Sequence, residues 1–249
     1  MRKNTCPFTI ESFRGDDYIY YSPKVCYHKD LSYDTKVFKY FNVDFLVEMF
    51  VSKKMYIANR RAFTDRREQG WKEDLKLFFS LKPAGNSKWA REERIRMSME
   101  RQYAKELCIS CWSKDSHDGC DESYLMWKAY GENRCRIETT LGKLLNSLDF
   151  DDNEVVIRPV IYKNESTDYT VSDLVFSKTL EYKDEQEIRI CIFKKNNSIE
   201  LPIKDWSFIK KIRLSPFNSR MHNRLLEIGL ETKFDFLKGK IELSHIAEY

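Results

Sequence analysis

The residues best placed to do chemistry lie in LEYKDEQEIRICIF, residues 180–193. From Glu185 onward this segment alternates as a strand does. Glu185, Glu187 and Arg189 point one way, and Ile188, Ile190 and Ile192 the other. The polar side then sets two carboxylates and a guanidinium in steps of ~7 Å. Such a row is either a solvated face whose charges neutralise one another, or a catalytic carboxylate on a rigid strand, tuned by its neighbours. A second cluster, CISCWSKDSHDGC, brings Cys108, Cys111, His117 and Cys120 within thirteen residues. Zinc would use four such ligands as a structural clip. The alternative is the end of a buried strand followed by a loop, since cysteine packs well as a small hydrophobe. A strand would also turn Cys108 and Cys111 to opposite faces. A third grouping, Asp173 with Glu185 and Glu187, has the carboxylates of a metal-dependent nuclease. There Arg189 stands where such sites use lysine, and a guanidinium does not shuttle protons.

Elements must position these groups. Phe38, Lys39 and Tyr40 read as a short strand, followed by a helix capped by Asn42 or Asp44 and ending near Val51. Phe45, Leu46, Met49 and Phe50 form its expected core face. Met55 to Ile57 reads as a strand. Residues 87–107 lack glycine and proline and repeat Ile95, Met99, Tyr103 and Leu107 every fourth residue, which predicts an amphipathic helix. A strand over 107–112 follows, then a helical turn at SYLMWKAYG. Further strands are expected over 155–162, 187–193 and 208–214. A last helix opens at Ser215-Pro216, buries Met221, Leu225 and Ile228, and ends at Gly229. The pattern is an α+β fold: one mixed or antiparallel β core with flanking helices. Residues 1–35 are rich in tyrosine and read as a loose extension or an added arm; residues 36–249 form a single domain.

Composition narrows the class. The chain has 249 residues, 42% hydrophobic and 33% charged, enough for a sizeable core. A net charge of +4 permits RNA or DNA as a partner without requiring it. No apolar run is long enough for a signal peptide or a membrane span, so a cytoplasmic protein with no membrane partner is expected. Seven cysteines fit free thiols in that compartment.

Four segments, taken in order, carry a resemblance: residues 39–68, 109–131, 175–192 and 209–216. They are similar to a widespread bacterial family of domains of unknown function. Its members carry a lysine-tyrosine pair, a Phe-Asn-Asp-Pro-Phe-Glu box, a Ser-Phe-Ser strand, a Met-Trp-x-x-Tyr turn and a Glu-x-Glu-x-Arg strand. Here these correspond to Lys39-Tyr40, the strand with Ser110 and Ser113, Met126-Trp127 with Tyr130, and Glu185, Glu187 and Arg189. The box departs from the pattern: Phe63, Asp65 and Glu68 remain, but Thr64 and Arg66-Arg67 replace its asparagine and Pro-Phe. The likeness spans about 180 residues. The family itself resembles distant ADP-ribosyltransferases, some from phage-defence toxin loci.

That resemblance implies an ADP-ribosyltransferase-like fold and NAD as substrate, with no metal. It implies Glu187 as the catalytic carboxylate at the ribose, and Glu185 as the group that orients or deprotonates the acceptor. Lys39, Tyr40, Ser110, Trp127, Tyr130 and Arg189 become the residues that bind NAD. The acceptor is a macromolecule, nucleic acid (RNA before DNA) or protein. An antitoxin or chaperone protein is the implied partner, and the tyrosine-rich start is a candidate surface for it.

Overall fold

The computed structural model describes residues 9–13, 15–60, 98–99, 103–104, 106–114, 122–130, 133–163, 175–194 and 196–246. In chain order the strands are β1 (Tyr18–Ser22), β2 (Val25–His28), β3 (Lys36–Asn42), β4 (Lys54–Ala58), β5 (Cys108–Lys114), β6 (Arg134–Thr140) and β7 (Val155–Pro159). After them come β8 (Ile161–Tyr162), β9 (Ser177–Lys178), β10 (Glu187–Ile192), β11 (Ser198–Pro202), β12 (Lys211–Leu214) and β13 (Ile241–Leu243). The described α-helices are α1 (Val43–Ser52), α2 (Tyr124–Tyr130), α3 (Leu141–Ser147) and α4 (Arg220–Lys233).

Nine strands form one sheet in the order β1-β2-β7-β10-β5-β3-β6-β12-β13. Its pairs are antiparallel except β2 with β7 and β12 with β13, so the sheet is mixed. With helices packed against it, this is an α+β fold. The central strands are buried on both faces, as β10 is along its whole length. On one face Ile188, Ile190 and Ile192 join Leu46, Met49 and Phe50 of α1 and Leu141, Leu144 and Leu145 of α3 in the main core. On the other, Ile109, Val156 and Cys191 pack with Ile10, Phe13 and Phe176. At ~25 cal/mol per Å² of apolar surface removed from water, burial of this kind dominates the stabilisation.

Local chemistry sets the helix boundaries. Asn42 caps α1, its side-chain oxygen accepting from the Asp44 amide at 2.9 Å. At the other end Lys53 takes a left-handed conformation and turns the chain into β4. The last helix departs from expectation. Its cap is Ser219, whose hydroxyl accepts from the His222 amide at 3.2 Å, and it runs on to Lys233, beyond Gly229. Met221, Leu225 and Ile228 face outward, 69%, 63% and 49% exposed. The inward stripe is Asn223, Leu226, Leu230 and Phe234. Asn223 explains the rotation: its amide donates to the Ser215 carbonyl at 3.0 Å and its oxygen accepts from Asn218 at 2.9 Å, which pins that face inward.

Where the structure describes it, the tyrosine-rich start contributes two strands to the main sheet. β1 and β2 form a hairpin, and β2 lies parallel against β7. Among the described residues no helix is long and apolar enough to cross a membrane.

Candidate active site

The sheet parts in its middle. β5 and β3 pair only through Val37 with Lys114 and Phe38 with Ser113. Beyond that point β3 continues on β6 as far as Asn42, and β5 continues on β10 as far as Cys108. The gap frees backbone carbonyls that a continuous ladder would satisfy. Lys39 fills it. Its Nζ donates to the Cys111 carbonyl at 2.9 Å and to Ser110 Oγ at 3.1 Å. Trp112 Nε1 donates to the same hydroxyl at 3.1 Å. Burial pushes the Lys39 ammonium below its ordinary range, opposed by Cys111 and Glu187.

A cleft of ≈ 710 Å³ opens over this gap. Lys39, Tyr40, Ser110, Tyr130, Glu185 and Glu187 all line it, so six residues chosen from sequence meet in one place. Its walls are aromatic. Tyr40 and Tyr130 stack with centroids 5.1 Å apart and planes 8° apart, and Trp127 meets Tyr40 edge-on at 5.0 Å. Trp127 has no exposed surface and braces the Tyr40 ring from behind the wall. Phe45 was expected in the core of α1. It is 64% exposed and lines the cleft instead, as does Tyr56.

The carboxylates differ from the sequence reading in one respect. Glu185 is not on the strand. It ends a 3-10 turn, Leu180–Glu185, and Gln186 then takes a left-handed conformation (φ 45°) before β10 begins at Glu187. The reversal still returns Glu185 to the same spot. Lys178 Nζ lies 2.6 Å from Glu185 Oε2 and 3.0 Å from Glu187 Oε2. Arg189 grips Glu187 from the core side, with Nε 2.8 Å from Oε1 and Nη2 3.3 Å from Oε2, while its Nη1 donates to the Val175 carbonyl at 2.6 Å. Arg189 is 1% exposed and stands behind the cleft, so it positions Glu187 and has no open face for a ligand.

Glu187 is 4% exposed, which removes the solvated-face reading for it. Burial acts to raise its carboxyl, but Arg189 and Lys178 outweigh that and draw it down to about 2. The Cys111 thiol also donates to it, and burial together with that carboxylate pushes the thiol upward. The Glu187 amide donates to Tyr162 Oη at 2.8 Å, fixing where the strand begins. The result is an enclosed anion that stays ionised at neutral pH. It cannot serve as a general acid there. It can accept a hydrogen bond from a hydroxyl and stabilise positive charge developing beside it.

Sequence reasoning missed Lys178 and Tyr182, whose ring lies 4.9 Å from the Lys178 ammonium. Their only signal is that they share the quoted segment 175–192 with the two glutamates. The other chemistries are placed as follows. Cys108 pairs in register with Ile192 and Cys111 with Arg189, on opposite faces of β5, while His117 and Cys120 lie outside the described residues. Asp173 lies outside them too, and the Lys178 ammonium sits between the two carboxylates where a nuclease would hold its cation. The box residues from Phe63 to Glu68 and most of the arginine-rich helix are also outside.

No protein-family model and no curated protein matches the sequence. Among solved structures the chain is similar to Thermus sp. 2.9 DarT in complex with ADP-ribosylated ssDNA. The TM-score is 0.39 with 9% sequence identity, covering 86% of this chain and 96% of that chain.

Proposed function

We propose that the chain is an NAD-dependent ADP-ribosyltransferase that modifies a macromolecule, nucleic acid (RNA before DNA) or protein. In this reading it acts in the cytoplasm as a toxin of bacterial antiphage defence, restrained by an antitoxin or chaperone protein. The observation that carries the reaction is Glu187: a buried, ionised carboxylate at the foot of an aromatic cleft, braced by two cations. The motif resemblance of Lys39-Tyr40, Met126-Trp127 with Tyr130, and Glu185-x-Glu187-x-Arg189 adds the choice of NAD.

The chemistry follows from the charges. The bond from ribose C1′ to the nicotinamide nitrogen breaks, and its electron pair leaves with nicotinamide, cancelling the pyridinium charge. Positive charge builds on the ribose ring, as in glycoside cleavage. Glu187 accepts from the ribose hydroxyl and stabilises that charge. The acceptor's lone pair forms the new bond to C1′, and its proton passes to Glu185. The stacked pair of Tyr40 and Tyr130 offers an outer ring face to a flat heterocycle, and Lys39 offers a cation to the pyrophosphate.

The test incubates wild type and Glu187→Gln with NAD labelled on the adenylate phosphate, together with RNA, DNA and protein fractions. Label on one fraction with wild type, lost in the folded variant, supports the reading and names the acceptor. No transfer and no nicotinamide release from folded wild type overturns it.

A further inference from the structure

We infer that Lys178 is a positioning residue for both carboxylates: it clamps Glu185 beside Glu187 so that the two work as a pair. The glutamates belong to different elements, a 3-10 turn and a strand, with a left-handed residue between them. The reversal at Gln186 brings the two anions close, where they repel unless a cation lies between them. The Lys178 ammonium reaches one oxygen of each. Arg189 cannot substitute for it, because it approaches Glu187 from the core and spends a third donor on the Val175 carbonyl.

The clamp is itself fixed. Lys178 pairs with Tyr162 in the short β8–β9 ladder. The Tyr162 hydroxyl accepts from the Glu187 amide, and the Val160 amide donates to the Glu187 carbonyl at 2.8 Å. The strand bearing the lysine is therefore pinned to the strand bearing Glu187 without any help from the charges. The Lys178 side chain is 5% exposed, with the Tyr182 ring against it, so the ammonium has no room to swing away. The charged and titratable groups facing Glu187 are Arg189 on its own strand, Cys111 from β5, Lys39 from β3, Tyr130 from α2, Tyr162 from β8, and Lys178 with Glu185. Replacing Lys178 removes one of the two cations that draw the carboxyl down, so its titration moves upward.

The consequence for turnover rests on the transferase reading; the consequence for the carboxyls does not. The experiment follows side-chain carboxyl carbons by NMR in glutamate-labelled wild type, Lys178→Met and Lys178→Arg, with Glu187→Gln to assign the signal, and measures NAD cleavage against pH on the same samples. In Lys178→Met, Glu187 is expected to titrate about 1–3 pH units higher. The acid limb of kcat should move with it, and kcat should fall more than tenfold while KM changes less than about threefold, the signature of a lost transition-state contact. Lys178→Arg, which restores a cation, should return the acid limb toward wild type. If Lys178→Met fails to fold, Lys178→Gln gives the same readings. Glu187 titrating alike in the neutral variant and wild type overturns the inference, whatever the activity. A wild type that leaves NAD intact, with Glu187 still shifted in Lys178→Met, overturns the transferase reading and leaves the clamp standing.

Discussion

Glu187→Gln should change how stability depends on pH, by an amount the site itself sets. Arg189 and Lys178 hold this carboxyl at about 2, against an ordinary value of 4.5. A carboxyl held low in the fold stabilises above its unfolded pKa, and that stabilisation is lost as pH falls toward the folded value. The window is therefore pH 4.5 to about 2. At about 1.4 kcal/mol per pH unit, this one group contributes about 3 kcal/mol. At neutral pH the glutamine leaves two buried cations short of an anion, a cost of about 3–5 kcal/mol. The gap between wild type and variant should thus be wide at pH 7 and narrow by about 3 kcal/mol across the window. Urea unfolding followed by tryptophan fluorescence, at closely spaced pH values, measures it. The exposed acids Asp17, Asp152 and Asp235, each lowered by a lysine partner, are common to both proteins and cancel in the difference. A gap that stays constant from pH 7 to 2.5 would refute the buried ion cluster as drawn.

Three further outcomes are expected, each readable by the same unfolding assay at neutral pH. Ser110→Ala strips one acceptor from both Lys39 and Trp112, and should cost about 1–3 kcal/mol; a loss below about 0.5 kcal/mol would mean that water replaces the hydroxyl without penalty. Gly142→Ala drives a methyl into the Tyr33 ring at the start of α3 and should destabilise by about 1–3 kcal/mol, with relief when Tyr33 is also made smaller. Leu225→Lys, on the outward face of α4, should move stability by no more than about 0.5 kcal/mol, whereas Leu230→Ala should cost about 2–5 kcal/mol. Equal effects at the two leucines would contradict the observed rotation of that helix.

Much of the architecture was legible in the sequence because it is written in local pattern. The isoleucines of β10 alternate with Glu187 and Arg189, and Asn42 sits one residue before an apolar helical repeat. Periodicity alone could not choose between two apolar stripes on α4; Asn223, tied to Ser215 and Asn218, chose for it. Strand alternation placed Glu185 beside Glu187 for the wrong reason. A left-handed Gln186 breaks the strand, and a lysine seven residues before Glu185 restores the pairing. Lys178 was invisible because its role depends on the β8–β9 ladder, a contact that no short-range spacing announces. Phe45 shows the converse: the sheet gap leaves one side of α1 facing a cleft, where an apolar side chain stays exposed.

The hairpin of β1 and β2 bears on how the protein behaves at high concentration. β2 covers the flank of β7 through Val25, Cys26 and Tyr27, opposite Val155, Val156 and Ile157. Those three β7 residues have no exposed surface. Stripped of the hairpin, they would form an apolar sheet edge with an open ladder of amides and carbonyls, a template for a neighbouring chain to add a strand. The edge that the hairpin presents is poorer for this purpose, because its pairing shifts between Tyr20 and Ser22. A protein trimmed to begin at residue 36 would therefore keep its cleft residues and lose its colloidal protection. It should self-associate into strand-paired aggregates at concentrations where the full chain remains dispersed.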